Sequence, residues 1–252
     1  MVSFRFLLVS SYAISAAIRS GELATERFMK VMVLGSTGLT GGLLVKKLLG
    51  NPGITAVVAP VRRPLEWSHP NLEAPVIDFD DMEAHAAVFD VDVLVCCLGT
   101  TIKKAGSQEA FRQVDYSYAL NAASLAKEAG AKACILMSAI GASSRSSVFY
   151  SRVKGELEDA IRALEFSYLS IYQPSLLLGQ REENRTAEAL GMAVMPVANR
   201  AMVGPLRKYR AIEAETIAAA MTNEVVRIEA GHSVGVNVSV RQYSDIVALA
   251  GF

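Results

Sequence analysis

The chain has 252 residues, equal numbers of acidic and basic side chains, and a mean hydropathy of +0.30. This length suits one α/β domain with a modest appendage, and the charge balance argues against a nucleic-acid-binding surface. Three cysteines, Cys96, Cys97 and Cys134, are too few for a disulfide framework, and the three histidines lack the close spacing of a metal site. We therefore predict neither a metal nor a nucleic-acid partner.

Residues 1–28 precede the first predicted strand. Arg5 and the apolar, serine-containing run that follows it loosely resemble a signal peptide, but the run is too short and too rich in serine for a membrane span. Met29 and Lys30 stand where an ordinary cytosolic chain would start. We expect an extension outside the core, no stable membrane insertion and a cytoplasmic location, with export as the alternative.

A buried strand is predicted from Val31 to Leu34, followed by Gly35, Gly38 and Gly41 and then by apolar residues at helical spacing. Strand, glycine turn and helix form the layout that holds a dinucleotide pyrophosphate on helix amides. The predicted cofactor contacts in this loop are Gly35, Ser36, Thr37, Gly38, Leu39 and Thr40.

A second strand, residues 54–59, leads to Arg62 and Arg63, about 20 residues beyond the third glycine, where the fingerprint places its cofactor discriminator. Arginine at this position accommodates the 2′-phosphate of NADP, whereas an acidic residue would favour NAD. We predict NADP(H), with a solvated basic turn as the alternative interpretation.

Residues 65–74 are predicted to be a loop and residues 75–79 a third strand. Asp78 and Phe79 end that strand at the edge where the adenine should lie, although a turn role for Asp78 is nearly as well supported. A weaker helix follows at residues 81–89, and a continuously apolar fourth strand at residues 92–98.

A loop over residues 99–106 precedes a long helix that begins after Ser107 and ends at Gly130. Its apolar face is predicted from helical periodicity. The face comprises Phe111, Val114, Tyr118, Ala122, Leu125 and Ala129.

The fifth strand, residues 133–137, is followed directly by Ser138, whose hydroxyl could hydrogen-bond a substrate carbonyl oxygen. A helix over residues 150–164 then opens with Tyr150 and Lys154, which a step of four places on one face. A nearby ammonium stabilises a phenolate and makes tyrosine a usable acid or base. Packing for Tyr150 and surface solvation for Lys154 are the alternatives.

A sixth strand is predicted at residues 168–172, so strands alternate with helices and imply an α/β fold of the Rossmann type, with a doubly wound parallel sheet. Residues 29–252 form one domain, in which residues from about 175 onward make a small C-terminal substrate lobe. Helices at 186–197, 211–225 and 242–250 and a strand at 234–240 are expected there.

These motifs together resemble the short-chain dehydrogenase/reductase superfamily, in its atypical and extended branch. The resemblance rests on Gly35-Ser-Thr-Gly-Leu-Thr-Gly41, Ser138 and Tyr150-x-x-x-Lys154. More narrowly, the chain resembles the Tat-interacting-protein group of NADP(H)-binding proteins. That likeness rests on Cys96-Cys-Leu-Gly-Thr-Thr101, Lys104-Ala-Gly106, Val114-Asp-x-x-Tyr118, Tyr150-x-x-Val-Lys-Gly-Glu156 and Tyr209-Arg-Ala-Ile212.

The resemblance implies that Tyr150 is the acid/base, that Lys154 stabilises its phenolate and holds the nicotinamide ribose, and that Ser138 orients the carbonyl. It also places Leu98, Gly99 and Thr100 along the cofactor and Pro174 beside the nicotinamide. Ser175 departs from the glycine that many relatives have after that proline.

The leading hypothesis is an NADPH-dependent reductase of a small carbonyl-type molecule. An NADP(H)-sensing interaction protein with little turnover is the alternative from another class. A sugar-nucleotide epimerase would use the same tyrosine and lysine, but the short lobe offers little surface to enclose a nucleotide-sugar. The substrate and the oligomeric state do not follow from the sequence.

Overall fold

The computed structural model describes residues 29–179, 202–230 and 237–251. Within them, seven strands form one parallel sheet. They are β1 (Met29–Leu34), β2 (Ile54–Val58), β3 (Leu72–Glu73), β4 (Val93–Cys96), β5 (Ala133–Met137), β6 (Tyr168–Tyr172) and β9 (Asn237–Arg241). Their order across the sheet is β3-β2-β1-β4-β5-β6-β9. The predicted Rossmann-type sheet is therefore confirmed.

Helices cover both faces of the sheet. They are α1 (Leu39–Leu49), α2 (Ile102–Ala105), α3 (Gln108–Arg112), α4 (Ala119–Glu128), α5 (Phe149–Ala163), α6 (Ala214–Glu229) and α7 (Tyr243–Ala250), with 3-10 segments at Met82–Phe89 and Gly204–Tyr209. A π-helical turn, Gln113–Tyr118, joins α3 to α4.

Two apolar cores result from the alternation of side chains along the strands. In β1, Val31 and Val33 face a core shared with α1, α6 and α7, whereas Met32 and Leu34 face a core shared with α4 and α5. Every strand of the middle of the sheet is covered on both sides, which explains why these strands have continuously apolar sequences.

The third strand lies earlier than predicted. Leu72 and Glu73 pair with Val57 and Val58, inside the predicted loop, whereas the predicted residues 75–79 contribute only an isolated bridge between Val61 and Val76. Prolines explain the difference, because Pro60 and Pro75 carry no N–H and interrupt the ladder of hydrogen bonds.

The last described residues belong largely to the main sheet and to the helices that cover it. Strand β9 extends the sheet beside β6, and Met221 of α6 and Leu249 of α7 lie in the core that α1 also covers. Tyr168, Ser170 and Tyr172 of β6 all donate hydrogen bonds to the buried carboxylate of Glu224 in α6.

A smaller two-stranded sheet stands at the carboxyl ends of the main strands. Its strands are β7 (Leu177–Leu178) and β8 (Ile212–Glu213). A Cβ on Gly179 would lie 2.9 Å from the side chain of Leu39, so this chain segment returns to the start of α1. The predicted helix at residues 186–197 lies outside the described residues. Among the described helices, none is long and apolar enough to cross a membrane.

Candidate active site and cofactor crevice

The glycine loop has the tight geometry that a dinucleotide requires. Gly35 has a φ of 78°, and a Cβ there would lie 2.6 Å from the carbonyl oxygen of Cys97. A Cβ on Gly41 would lie 2.2 Å from the carbonyl oxygen of Gly35. A side chain at Gly35 would therefore push the loop away from the end of β4. A side chain at Gly41 would push α1 away from the end of β1.

Two hydroxyls, one in this loop and one in the first turn of α1, are buried. Ser36 Oγ and Thr40 Oγ1 are buried and make no hydrogen bond within the described part of the chain. An unpaired buried hydroxyl costs free energy, so it points to a ligand. Oxygen-rich phosphates at the N-terminus of α1 would supply that partner, and the loop fits the pyrophosphate of a dinucleotide.

The far end of the crevice follows β2. Arg62 and Arg63 are exposed just beyond Val61, as a 2′-phosphate site would need. Asp78 accepts a hydrogen bond from the backbone N–H of Asp80 at 2.9 Å, so its carboxylate does stabilise a turn. Phe79 is buried, and its ring packs 5.7 Å from that of Tyr118.

Backbone hydrogen bonds bring Ser138 and Pro174 side by side. The N–H of Ser138 donates to Tyr172 O at 2.7 Å, and the N–H of Ile140 donates to Pro174 O at 2.9 Å. Ser138 Oγ is buried and has no partner among the described residues. Ser175, which stands where many relatives have glycine, has a structural role. Its hydroxyl donates a hydrogen bond to Arg210 O and so holds the segment that leads into β8.

Helix α5 presents the tyrosine and the lysine. Tyr150 lies in its first turn with 36% of its surface exposed, and its ring packs 5.6 Å from that of Phe111. Lys154 follows one turn later and is only 4% exposed. The two residues therefore share a face of α5, on which the tyrosine is exposed and the lysine is buried.

Asp115 completes the site and was not predicted. Its Oδ1 lies 2.8 Å from Lys154 Nζ in a buried ion pair, and its Oδ2 accepts the backbone N–H of Thr100 at 2.8 Å. A Cβ on Gly99 would lie 3.3 Å from Asp115 Oδ1 and 3.6 Å from Lys154 Nζ. One carboxylate thus joins the loop after β4 to the lysine of α5.

Burial and charge act in opposite directions on this pair. Burial alone would lower the pKa of Lys154, but the charge of Asp115, aided by Tyr150 and Cys96, raises that pKa above its ordinary value. Burial raises the pKa of Asp115, and the nearby ammonium and the Thr100 N–H offset part of the effect. Burial also raises the pKa of the Cys96 thiol to about 11, so Cys96 is no thiolate nucleophile.

Apolar periodicity passed over Asp115 because its side chain is charged. The predicted face contained Val114 and Tyr118, whereas the buried residues are Asp115 and Ala119. Asp115 and Ala119 follow the buried Phe111 by four and eight residues, so they share its helix face. The signal available in the sequence was an acidic residue within one step of an otherwise apolar stripe.

The structure therefore brings Ser138, Tyr150 and Lys154 to the carboxyl edge of the sheet, beside the glycine loop. The remaining predicted contacts, Leu98, Gly99, Thr100 and Pro174, lie at the ends of β4 and β6 along the same edge. Ligands of open parallel sheets bind at this edge.

Comparison with known proteins shows the family of the chain. The profile of a family described as NAD(P)H-binding matches residues 35–206. Protein HTATIP2 of Rattus norvegicus is 41% identical over 164 residues, covering 64% of this chain and 67% of the relative. Protein fmp52, mitochondrial, of Aspergillus clavatus is 33% identical over 200 residues, covering 77% of this chain and 85% of the relative.

Solved structures share the fold at low identity. MoeE5 in complex with UDP-glucose and NAD superposes with a TM-score of 0.60 at 14% identity, covering 88% of this chain and 81% of MoeE5. UDP-glucose 4-epimerase of Thermotoga maritima has a TM-score of 0.60 at 15% identity, covering 85% and 77% of the two chains.

The names of the relatives correct one prediction. The FMP52 proteins of several fungi are named mitochondrial, so the predicted cytoplasmic location is contradicted. The fold, the matched profile and the HTATIP2 and FMP52 relatives agree on the family of the chain. This chain belongs to the NAD(P)H-binding family of Rossmann-fold proteins, in the atypical short-chain dehydrogenase/reductase group.

Proposed function

We propose that the protein is an NADP(H)-dependent oxidoreductase that reduces a small carbonyl-type molecule at Ser138, Tyr150 and Lys154. The observation that carries the proposal is the buried hydroxyl of Ser138, which has no hydrogen-bond partner among the described residues and lies at the same sheet edge as Tyr150 and Lys154. An oxygen atom of a substrate placed there would give that hydroxyl a hydrogen-bond partner.

Each side chain has a distinct part in the reaction. NADPH, when bound, supplies the hydride. Ser138 donates a hydrogen bond to the carbonyl oxygen and stabilises the negative charge that develops on it. Tyr150 transfers its phenolic proton to the same oxygen, and the ammonium of Lys154 stabilises the phenolate that remains.

The glycine loop and the arginine pair would hold the cofactor. Ser36 and Thr40 offer the phosphates buried hydroxyls that bond to nothing in the described ranges of the chain, and Arg62 and Arg63 match a 2′-phosphate by charge and by planar geometry. The other proposed cofactor contacts are Gly35, Thr37, Gly38, Leu39, Asp78, Phe79, Leu98, Gly99, Thr100, Tyr150, Lys154 and Pro174.

Removal of the arginine pair tests the cofactor preference. We expect the wild-type protein to bind NADPH more tightly than NADH, because charge-assisted hydrogen bonds discriminate by about tenfold or more. The double variant Arg62→Ala/Arg63→Ala should lose affinity for NADPH and keep its affinity for NADH, as measured by fluorescence titration.

A charge-matched variant separates the specific contact from general electrostatics. Lys46 and Arg227 stand in the last turns of α1 and α6, so Lys46→Ala/Arg227→Ala removes two positive charges away from the crevice. Its cofactor affinities should match those of the wild type. Equal wild-type affinities for NADPH and NADH would contradict the role given to Arg62 and Arg63.

A further inference from the structure

We propose that Asp115 is a positioning residue that holds Lys154 at the crevice and keeps its side chain protonated there. This inference rests on the proposed function, because it concerns the lysine that assists Tyr150. It gives a role to Asp115, which stands in the motif Val114-Asp-x-x-Tyr118 but received no function from the family likeness.

The geometry gives Asp115 two fixed contacts. Its two oxygens are divided between the Thr100 N–H and Lys154 Nζ, each at 2.8 Å. Both side chains of the ion pair are almost fully buried, with 5% of Lys154 and none of Asp115 exposed. The carboxylate is therefore fixed to the loop after β4 by one oxygen and pairs with the lysine through the other.

A buried lysine needs such a partner to stay charged. Burial disfavours an ammonium, and a neighbouring carboxylate is what reverses that effect. The titratable groups that act on Lys154 are Asp115 in the π turn, Tyr150 on its own helix and Cys96 in β4. Asp115 is the only carboxylate among these three side chains, and burial raises the pKa of the Cys96 thiol to about 11, so that the thiol stays protonated.

The next carboxylate along the helix is committed elsewhere. Glu158, one turn beyond Lys154, accepts hydrogen bonds from Gln173 at 2.9 and 3.1 Å and pairs with Arg162 at 3.1 Å. Substitution of Asp115 would therefore leave Lys154 without a replacement partner on this face of α5.

Lysine NMR on the cofactor-free protein tests the proposal directly. With ¹³C at lysine Cε, the Lys154 resonance is identified by its disappearance in Lys154→Met. In the wild type we expect this resonance to show no titration below about pH 10. In Asp115→Asn, which keeps the size of the side chain and removes its charge, the midpoint should fall by about two pH units or more.

Two controls define what would overturn the proposal. Asp159→Asn removes the partner of an exposed ion pair on the same helix and should leave the Lys154 midpoint in place. A wild-type Lys154 that titrates near neutrality, or an Asp115→Asn variant with an unchanged midpoint, contradicts the proposal. If Asp115→Asn does not fold, Asp115→Glu keeps the charge and should keep the midpoint, and a lowered midpoint there is equally contradictory.

The pH profile separates positioning from a purely structural role. In Asp115→Asn, kcat/KM should fall as the pH rises through the new Lys154 midpoint, whereas Asp115→Glu should keep the wild-type profile shape. A structural defect alone would lower the rate equally at every pH, and that result would overturn the proposal. If no substrate is turned over, the proposed function fails, yet the NMR titration still decides the relation between Asp115 and Lys154.

Discussion

Glu224 and Asp115 show two uses of a buried carboxylate. Glu224 is 1% exposed and accepts hydrogen bonds from Tyr168 at 2.5 Å, Ser170 at 3.0 Å and Tyr172 at 2.7 Å, and it pairs with Arg241 at 2.9 Å. This carboxylate is fully satisfied and ties α6 to the edge of the sheet. Asp115, by contrast, forms its ion pair with Lys154 inside the candidate active site.

The tyrosines around Glu224 should make the protein sensitive to alkali. Burial and the charge of Glu224 raise the pKa of Tyr168 to about 12, whereas an unfolded tyrosine ionises near pH 10. The folded state therefore retains a proton that the unfolded state loses. The stability linked to it is fully present below about pH 10 and is lost as the pH rises towards about 12.

Urea unfolding at a series of pH values measures this effect. Between about pH 9 and 11 the free energy of unfolding should decline in the wild type, and less steeply in Tyr168→Phe. Tyr209→Phe changes an exposed tyrosine and should follow the wild-type curve. Identical slopes for the wild type and Tyr168→Phe would show that the network does not act in this way.

At the scale of elements, Gly155 fixes the distance between the two halves of the active site. A Cβ at Gly155 would lie 2.1 Å from the carbonyl carbon of Ser143 and 2.2 Å from the nitrogen of Ser144. The Ser143 N–H also donates to Ser151 O at 3.0 Å. The loop that begins at Ser138 therefore rests directly on α5.

Substitution of this glycine should separate Ser138 from Tyr150. We expect Gly155→Ala to destabilise the fold by about 1–3 kcal/mol, because the methyl group must displace backbone, and to lower turnover more than NADPH affinity. Gly50→Ala is the control, since Gly50 has an ordinary φ of −81° and a Cβ there would contact nothing closer than 3.5 Å. Equal activity in Gly155→Ala and the wild type would contradict this role.

The elements differ in how well local sequence predicted them. The apolar strands β1, β4, β5 and β6 were predicted within two residues at each end, because burial on both faces leaves an unmistakable apolar run. The edge strand β3 was misplaced, since only two residues pair there. The π turn was missed because a period of 3.6 residues cannot describe a turn with an extra residue.

The placement of the candidate site residues was partly predictable. Local patterns predicted that Tyr150 and Lys154 share one helix and that Ser138 follows a strand, and the structure places them so, while their catalytic roles stay predictions. Asp115 acts on Lys154 across 39 positions of sequence, through a contact that only the packing of the π turn against α5 creates.

At the scale of the whole molecule, the crevice is a consequence of topology. The sheet order places β1 next to β4 at the centre, with β2 and β3 on one side and β5, β6 and β9 on the other. The chain reverses its direction of winding there, and the carboxyl ends of the strands open a cleft. The glycine loop ends β1 beside this cleft, and Ser138 follows β5 on the same edge.

The last described elements contact both the edge of the sheet and the end of the crevice. Arg241 of β9 reaches the Glu224 network, and Gln242 donates a hydrogen bond to Gln173 at 3.2 Å, just before Pro174. The Ser175 hydroxyl donates a hydrogen bond to the carbonyl oxygen of Arg210, just before β8. The C-terminal elements thus brace the end of β6, where the nicotinamide side of the crevice is proposed to lie.

The most direct test of the central claim compares the wild type with Tyr150→Phe in a single assay. Both proteins are titrated with NADPH and then supplied with a panel of aldehydes and ketones, while NADPH oxidation is followed by absorbance. We predict wild-type turnover of at least one carbonyl, and in Tyr150→Phe an NADPH dissociation constant within about twofold with turnover reduced by about 10²-fold or more. Turnover that survives the loss of the hydroxyl, or a wild-type protein that binds NADPH and reduces nothing in the panel, would contradict the proposed reductase.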